Sequence, residues 1–83
     1  MPKQQNPYTA GVETVMSEKG FSNKDKFVVG VGGQTQFATS KEIGADASVF
    51  EDGVLTVKTV AITGIKEVTT DLIPEGTIVE IIY

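Results

Sequence analysis

The dipeptide Asp52-Gly53 stands between two short runs of strand-forming residues, 47–50 and 54–57. Asp-Gly tolerates positive φ at both positions, which suits a two-residue turn whose twist matches that of two paired strands. The chain that follows, up to Val68, is rich in Val, Thr and Ile, whose branched side chains pack well on a pleated sheet. We therefore predict a hairpin that continues into a long strand.

The composition predicts the fold class. Val, Ile and Thr together supply 28 of the 83 residues, and these residue types favour strands over helices. A chain of this length forms one domain at most. We expect an all-β fold, mainly an antiparallel small sandwich or barrel with one or two short helical turns. Residues 1–11 are expected to form an extended N-terminal arm, and residues 12–83 the single β-rich domain.

Local patterns predict further elements before and after the hairpin. Residues 12–19 have apolar residues at helical spacing and predict a short helical turn that Gly20 ends. Gly32-Gly33 separates two strand-like runs and predicts a second hairpin. Residues 39–46 fit either one helical turn or a loop, with Ile43 pointing inward. Residues 73–76 predict a type I turn with Pro at its second position.

In the long strand predicted after the hairpin, the apolar side chains move from one face to the other partway along its length. Leu55 and Val57 share one face, whereas Val60, Ile62 and Val68 share the other. A one-residue slip moves every side chain to the opposite face, so the pattern predicts a bulge near Lys58-Thr59 or a strand covered on both faces. Gly64 predicts a bend or break.

The last strand, residues 77–83, is apolar on both faces. Val79, Ile81 and Tyr83 share one face, and Ile78 and Ile82 flank Glu80 on the other. Strands of this kind are normally covered on both faces, and a small chain has few residues left to cover the second face. We therefore predict an oligomer interface at Ile78, Ile82 and Tyr83. In the alternative, Ile78 and Ile82 are covered by the arm or by residues 12–16.

The polar segment 1–11 predicts a partner-binding arm. It holds two prolines and one large aromatic side chain, and it has no apolar core of its own. We predict that Asn6, Pro7 and Tyr8 contact a neighbouring molecule, with Tyr8 as the anchor. A frayed terminus is the alternative. The segment lacks the apolar stretch of a secretory signal, so we expect synthesis in the cytoplasm.

Composition argues for self-association and against two classes of partner. A small chain without cysteine or histidine has neither a disulfide nor an imidazole metal site to stabilise it, which favours a homo-oligomer. All seven basic residues are lysine and the net charge is −4. This charge disfavours nucleic acid and anionic membranes as partners. No apolar run has the length of a membrane span.

The sequence predicts no enzyme, no cofactor and no metal site. Gly30-Val31-Gly32-Gly33 matches neither nucleotide-binding glycine pattern. The hydroxyl side chains have no histidine as a base, and no S-x-x-K pattern supplies lysine instead. The adjacent carboxylates Glu51-Asp52 belong to the predicted turn. A weak oxygen site shared by Glu42, Asp46, Glu51 and Asp52 is the remaining alternative for a metal.

The segment DGVLTVKTVAITGIKEVTT, residues 52–70, resembles the short repeating β-segments of phage fibre and appendage proteins. The closing phrase PEGTI, residues 74–78, is similar to the P-x-G-T-I phrase of the same proteins. The polar arm, β-rich body and apolar last strand also resemble small capsid decoration proteins of the lambda type.

This resemblance implies a virion structural protein: a capsid decoration or head-fibre-base subunit that forms a homo-oligomer, with a trimer favoured. Its partner would be the major capsid protein or another virion protein. The alternative from the residues alone is a small cytoplasmic β module that binds a protein or peptide through an exposed edge strand.

Overall fold

A computed structural model describes residues 7–83 of the chain, with side chains from Gly11 onward. One helix, α1 (Pro7–Lys19), is followed by seven strands. In chain order the strands are β1 (Lys24–Val28), β2 (Gln34–Ala38), β3 (Ser48–Glu51), β4 (Val54–Leu55), β5 (Val60–Gly64), β6 (Glu67–Ile73) and β7 (Ile78–Ile82).

The strands form two antiparallel sheets that face each other. The larger sheet has the strand order β1-β7-β3-β4, and the smaller sheet has the order β2-β6-β5. Between them lies the main core, built from inward-facing residues of both sheets: Val29, Phe37, Ile43, Val49, Val68, Ile73, Val79, Ile81 and Tyr83. The all-β prediction is confirmed, and the architecture is a sandwich without a closed barrel.

The hairpin at Asp52-Gly53 is confirmed. Asp52 has φ 49° and Gly53 has φ 82°, so both turn residues adopt the positive φ of a primed turn. Phe50 lies opposite Leu55, and the residues next to the turn pair in the same register. The two turn residues therefore adopt the backbone conformation that the Asp-Gly sequence predicts.

The prediction of one long strand after this hairpin is wrong. β4 ends at Leu55, the chain crosses between the sheets at 56–59, and β5 then joins the smaller sheet. The apolar side chains change faces because the chain passes from the larger sheet to the smaller one, and not because one strand contains a bulge. Gly64 ends β5, and a two-residue turn leads into β6, so the predicted break at Gly64 is confirmed.

The predicted hairpin at Gly32-Gly33 is also wrong, because β1 and β2 belong to different sheets. The glycines instead turn the chain from one sheet to the other. The Gly33 amide donates to the Gly30 carbonyl at 3.1 Å, and Gly32 and Gly33 both have positive φ. A Cβ at Gly33 would lie 2.8 Å from the Ile73 carbonyl oxygen, so the site has no space for a side chain.

Two loops cap the ends of the sandwich. Residues 39–46 form a loop without a helical turn, and Ile43 is buried in the core as predicted. The Ile43 amide donates to the Ile65 carbonyl at 2.7 Å. The proline turn is displaced by one residue: the Thr77 amide donates to the Pro74 carbonyl, and the positive φ of Gly76 makes it a type II turn.

Helix α1 begins at Pro7, so the expected extended conformation of residues 7–11 is wrong, and the predicted helical turn is a helix of 13 residues. Proline is well suited to the first helical position because its φ is already helical. The helix ends at Lys19; Gly20 follows it with φ 70°, and the Phe21 amide donates to the Met16 carbonyl at 2.9 Å. This is a Schellman motif.

Two of the three residues predicted at an oligomer interface are buried within the chain. Strand β7 is central in its sheet, with β1 on one side and β3 on the other. Ile82 is fully buried beneath α1, and Tyr83 is 6% exposed in the main core, whereas Ile78 remains 39% exposed. The alternative, in which the segment around Val12 and Met16 covers this face, holds for Ile82.

Candidate interaction surface

Helix α1 covers one half of the outer face of the larger sheet. Val12 packs on Phe50 and Ile82, with Val15, Met16 and Phe21 around them. Apolar residues three and four positions apart lie on one side of a helix, so α1 presents this stripe to the sheet. The helix therefore makes a second, smaller core and leaves the other half of the face to solvent.

The uncovered half exposes an apolar cross-strand pair. Val28 of β1 and Ile78 of β7 are register partners, so their side chains lie side by side on the outer face. Val28 is 68% exposed and Ile78 is 39% exposed. This pair contains the one accessible member of the predicted oligomer interface and adds Val28, which the sequence analysis did not select.

A shallow concavity of about 280 Å³ adjoins this pair and is lined by Lys26, Asp52, Gly53, Ile78 and Glu80. Its rim is fixed by the hairpin turn, because the Ile78 amide donates to the Asp52 carboxylate at 2.9 Å. Glu80 is held by Lys24 at 3.3 Å. We call the exposed pair and the concavity the outer-face patch: Lys26, Val28, Asp52, Gly53, Ile78 and Glu80.

The chemistry of the outer-face patch suits contact with a protein surface. Its apolar side chains are bordered by one lysine and two carboxylates, which matches the apolar centre and polar rim of protein interfaces. Gly11 of α1 lies 3.7 Å from the Gly53 carbonyl oxygen, measured from an ideal Cβ position. Helix α1 therefore borders the patch at Gly11.

A second exposed surface lies on the smaller sheet, along the edge strand β5. This strand, Val60–Gly64, contains no charged residue and pairs only with β6 in the described sheet. Ile62 is 40% exposed, although it lies opposite Val68 on the core-side face. Val57 before the strand is fully exposed, and Ile65 after it is 70% exposed.

Tyr83 is a structural anchor. Its hydroxyl donates to the Asp25 carboxylate at 2.6 Å and accepts from the Lys41 amide at 3.1 Å. Ser40 donates to the same carboxylate from its amide and its hydroxyl. Partial burial alone would raise the pKa of Asp25, but the hydrogen bonds from Tyr83 and Ser40 outweigh it and lower that pKa below its ordinary value.

A second ionic cluster fixes the crossing between the sheets. Lys58 contacts both carboxylate oxygens of Glu51, at 2.8 and 2.9 Å, and the Thr56 hydroxyl donates to Glu51 at 2.6 Å. Burial opposes the charge on Glu51, yet the hydrogen bonds from Lys58 and Thr56 leave its pKa lowered. Because both partners are largely shielded from solvent, this pair holds β3 to the crossing segment 56–59.

Three of the four carboxylates considered as an oxygen site serve separate contacts. Asp46 binds Lys19 at 3.0 Å, Glu51 binds Lys58, and Asp52 accepts from the Ile78 amide. Within residues 7–83, no three acidic side chains are grouped so that they could hold a metal ion. In the same part of the chain, no helix has the length and apolar character needed to cross a membrane.

The predicted arm contacts fall largely outside the described side chains. Asn6 lies outside the described residues, and Pro7 and Tyr8 belong to the first turn of α1, with side chains that the structure does not describe. The prediction that Asn6, Pro7 and Tyr8 contact a partner therefore stays a prediction.

Comparison with known proteins adds no family assignment. The chain matches no protein-family model, no curated protein and no solved structure at a significant level.

Proposed function

We propose that this chain is a non-enzymatic structural subunit of a phage virion, a capsid decoration or head-fibre-base protein that self-associates and attaches to the major capsid protein. The resemblance of residues 52–70 and 74–78 to phage appendage segments suggests the virion. The observation that carries an attachment role is the outer-face patch, in which Val28 and Ile78 are exposed side by side.

The outer-face patch is the proposed attachment surface. Exposed aliphatic side chains next to a bordering lysine and carboxylates give a surface that gains free energy when a protein covers it. One small patch supports only weak binding. Repeated subunits on a lattice convert weak single contacts into tight overall attachment, so a decoration protein needs no large interface.

Co-sedimentation with purified empty phage capsids tests this proposal. We expect saturable binding at a fixed ratio of this chain to the major capsid protein, and we expect the double variant Val28→Asp, Ile78→Asp to lose it. The control is Val31→Asp, because Val31 is 90% exposed and lies in a loop outside the patch. Equal binding by the patch variant and the control would exclude the patch as the attachment surface.

The β5 edge favours a second candidate function, a cytoplasmic module that binds a protein or an extended peptide. An uncharged edge strand can accept a further strand through its backbone groups. This candidate predicts a stable monomer that binds extended peptides and does not sediment with capsids. The same co-sedimentation experiment, combined with the mass of the free protein, separates the two functions.

A further inference from the structure

The four edge strands of the two sheets differ in how they resist pairing with another chain. β1 carries three charged residues within its five, and β4 is only two residues long. In β2, the Gln34 side-chain amide donates to the Gln36 carbonyl at 2.6 Å and so occupies a backbone acceptor of that strand. Charges, short length and occupied backbone groups are established protections of sheet edges.

β5 has none of these three protections. Its five residues carry no charge, its length equals that of β1, and no side-chain hydrogen bond to its backbone is present among the described residues. The strand is bulged near Thr63 only, where the register with β6 shifts between Ile62 and Gly64. The segment from Val60 to Ile62 is therefore a regular edge with an unpaired side.

Exposed apolar side chains also occur in the chain on either side of β5. Val57 is fully exposed before the strand, and Ile65 is 70% exposed in the turn after it. The nearest charge before the strand, Lys58, is directed to Glu51 and forms an ion pair with it. A strand that pairs here meets backbone groups along 60–62 and the apolar side chains of Val60 and Ile62 on the core-side face. An uncharged strand suits this face, because a charge placed there would be buried without a partner.

We propose that two copies of this chain pair antiparallel through β5, so that two three-stranded sheets become one sheet with the order β2-β6-β5-β5-β6-β2. β5 of a second copy is an uncharged strand of matching length, whereas β1 of a second copy would place Lys24, Asp25 or Lys26 against the apolar edge. A two-fold axis makes the contact self-complementary. This inference rests on the self-association in the proposed function and assigns that self-association to the β5 edge. The outer-face patch lies on the other sheet and remains open for attachment.

Two isoleucines of equal exposure allow a matched test. Ile62 on β5 is 40% exposed and Ile78 in the outer-face patch is 39% exposed. Light scattering across a concentration series should give the wild-type protein and Ile78→Lys twice the 8.8 kDa mass of the chain. Ile62→Lys should raise the dissociation constant of the dimer about tenfold or more, because its charge would be buried at the edge.

A second variant distinguishes a weakened dimer from a loss of folding. Ala61 is exposed on the face of β5 opposite to Ile62, so Ala61→Lys adds a charge without entering the core. It should keep the β-rich circular dichroism spectrum and weaken the dimer. Hydrogen exchange in the wild-type protein should show slower exchange within 60–64 as the concentration rises.

The remaining outcomes contradict the pairing in different ways. A trimer of constant mass would overturn the two-fold contact while leaving self-association and the proposed virion role intact. A monomer at every concentration that binds extended peptides would overturn the pairing and favour the cytoplasmic module. A dimer that is unchanged by both Ile62→Lys and Ala61→Lys would show that another surface makes the contact.

Discussion

The Tyr83 hydroxyl lies 2.6 Å from the Asp25 carboxylate, which joins the residue after β7 to the edge strand β1. Ser40 donates two hydrogen bonds to the same carboxylate, and the Lys41 amide donates to the Tyr83 hydroxyl. The Asp25 carboxylate and the Tyr83 hydroxyl therefore bind the larger sheet to the loop 39–46 through hydrogen bonds. Because this loop also bonds to the turn between β5 and β6, the contact links both sheets.

Tyr83→Phe should lower the free energy of unfolding by about 1–3 kcal/mol, because it removes a hydrogen bond to a charged group and leaves the Lys41 amide without its acceptor. Urea denaturation measures the change. Asp25→Asn and the double variant complete a mutant cycle, in which the two substitutions should be strongly non-additive. Additive effects would show that the two side chains act independently.

Stability should fall at acidic pH, since the pKa values of Asp25 and Glu51 are lowered in the folded state. The unfolded chain binds protons at these groups first, so their stabilising contribution is complete above the ordinary carboxylate range. It is lost as pH falls from about 4 towards the lower folded pKa values. Urea denaturation between neutral pH and pH about 2.5 measures this loss.

Asp25→Asn should reduce that dependence on pH, because it removes one of the groups with a lowered pKa. Tyr83→Phe should reduce it in the same direction, since it removes a hydrogen bond that lowers the pKa of Asp25. An Asp25→Asn protein whose stability falls with pH as steeply as that of the wild type would contradict the assignment.

Ile82→Ala should destabilise the fold by about 2–4 kcal/mol, because Ile82 is fully buried between α1 and the sheet and its loss leaves a cavity. Ile78→Ala, the matched control on the same face of β7, should cost less than about 1 kcal/mol because Ile78 is 39% exposed. Urea denaturation followed by circular dichroism measures both. Similar losses for the two variants would mean that α1 does not cover Ile82 selectively.

Gly33→Ala should destabilise the fold by about 2 kcal/mol or more, because Gly33 has φ 81° and an added Cβ would lie 2.8 Å from the Ile73 carbonyl oxygen. Gly30→Ala is the matched control in the same loop: nothing lies within 4 Å of its Cβ position. Thermal unfolding should separate the two clearly. A Gly33→Ala protein as stable as Gly30→Ala would refute the close approach of this loop to β6.

The sequence allowed correct prediction where structure is determined locally. The Asp52-Gly53 hairpin depends on two residues that accept positive φ, and the break at Gly64 depends on one glycine. The β-branched composition was sufficient for the fold class. These features require no knowledge of distant residues.

Predictions failed where distant parts of the chain decide the pairing. The runs on either side of Gly32-Gly33 look like hairpin partners, but β1 pairs with β7 and β2 pairs with β6, far along the chain. The crossing between the sheets at 56–59 interrupts the alternation of apolar and polar residues in the sequence, and a bulge in a single strand would interrupt it in the same way. Alternation of side chains reports which face is buried, and it does not report which strand lies alongside.

The candidate surfaces could be predicted only in part from the sequence. Ile78 was selected because β7 is apolar on both faces, but the cover that α1 gives to Ile82 depends on tertiary packing. Val28 was missed because its run, residues 27–31, looks uniformly buried. The uncharged run VAITG was the available signal for the β5 edge, and only the strand order shows that this run lies at an edge.

The central position of β7 has a consequence for biosynthesis. Its hydrogen-bonding partners β1 and β3 are translated before it, and in the folded sheet each of them pairs with β7 and not with the other. While β7 is still within the ribosome, the emerging chain can close the β3-β4 and β5-β6 hairpins but cannot assemble the larger sheet. Assembly of the larger sheet therefore waits until β7 has left the ribosome, and a nascent chain stalled before Ile78 would expose the apolar residues of both cores to chaperones.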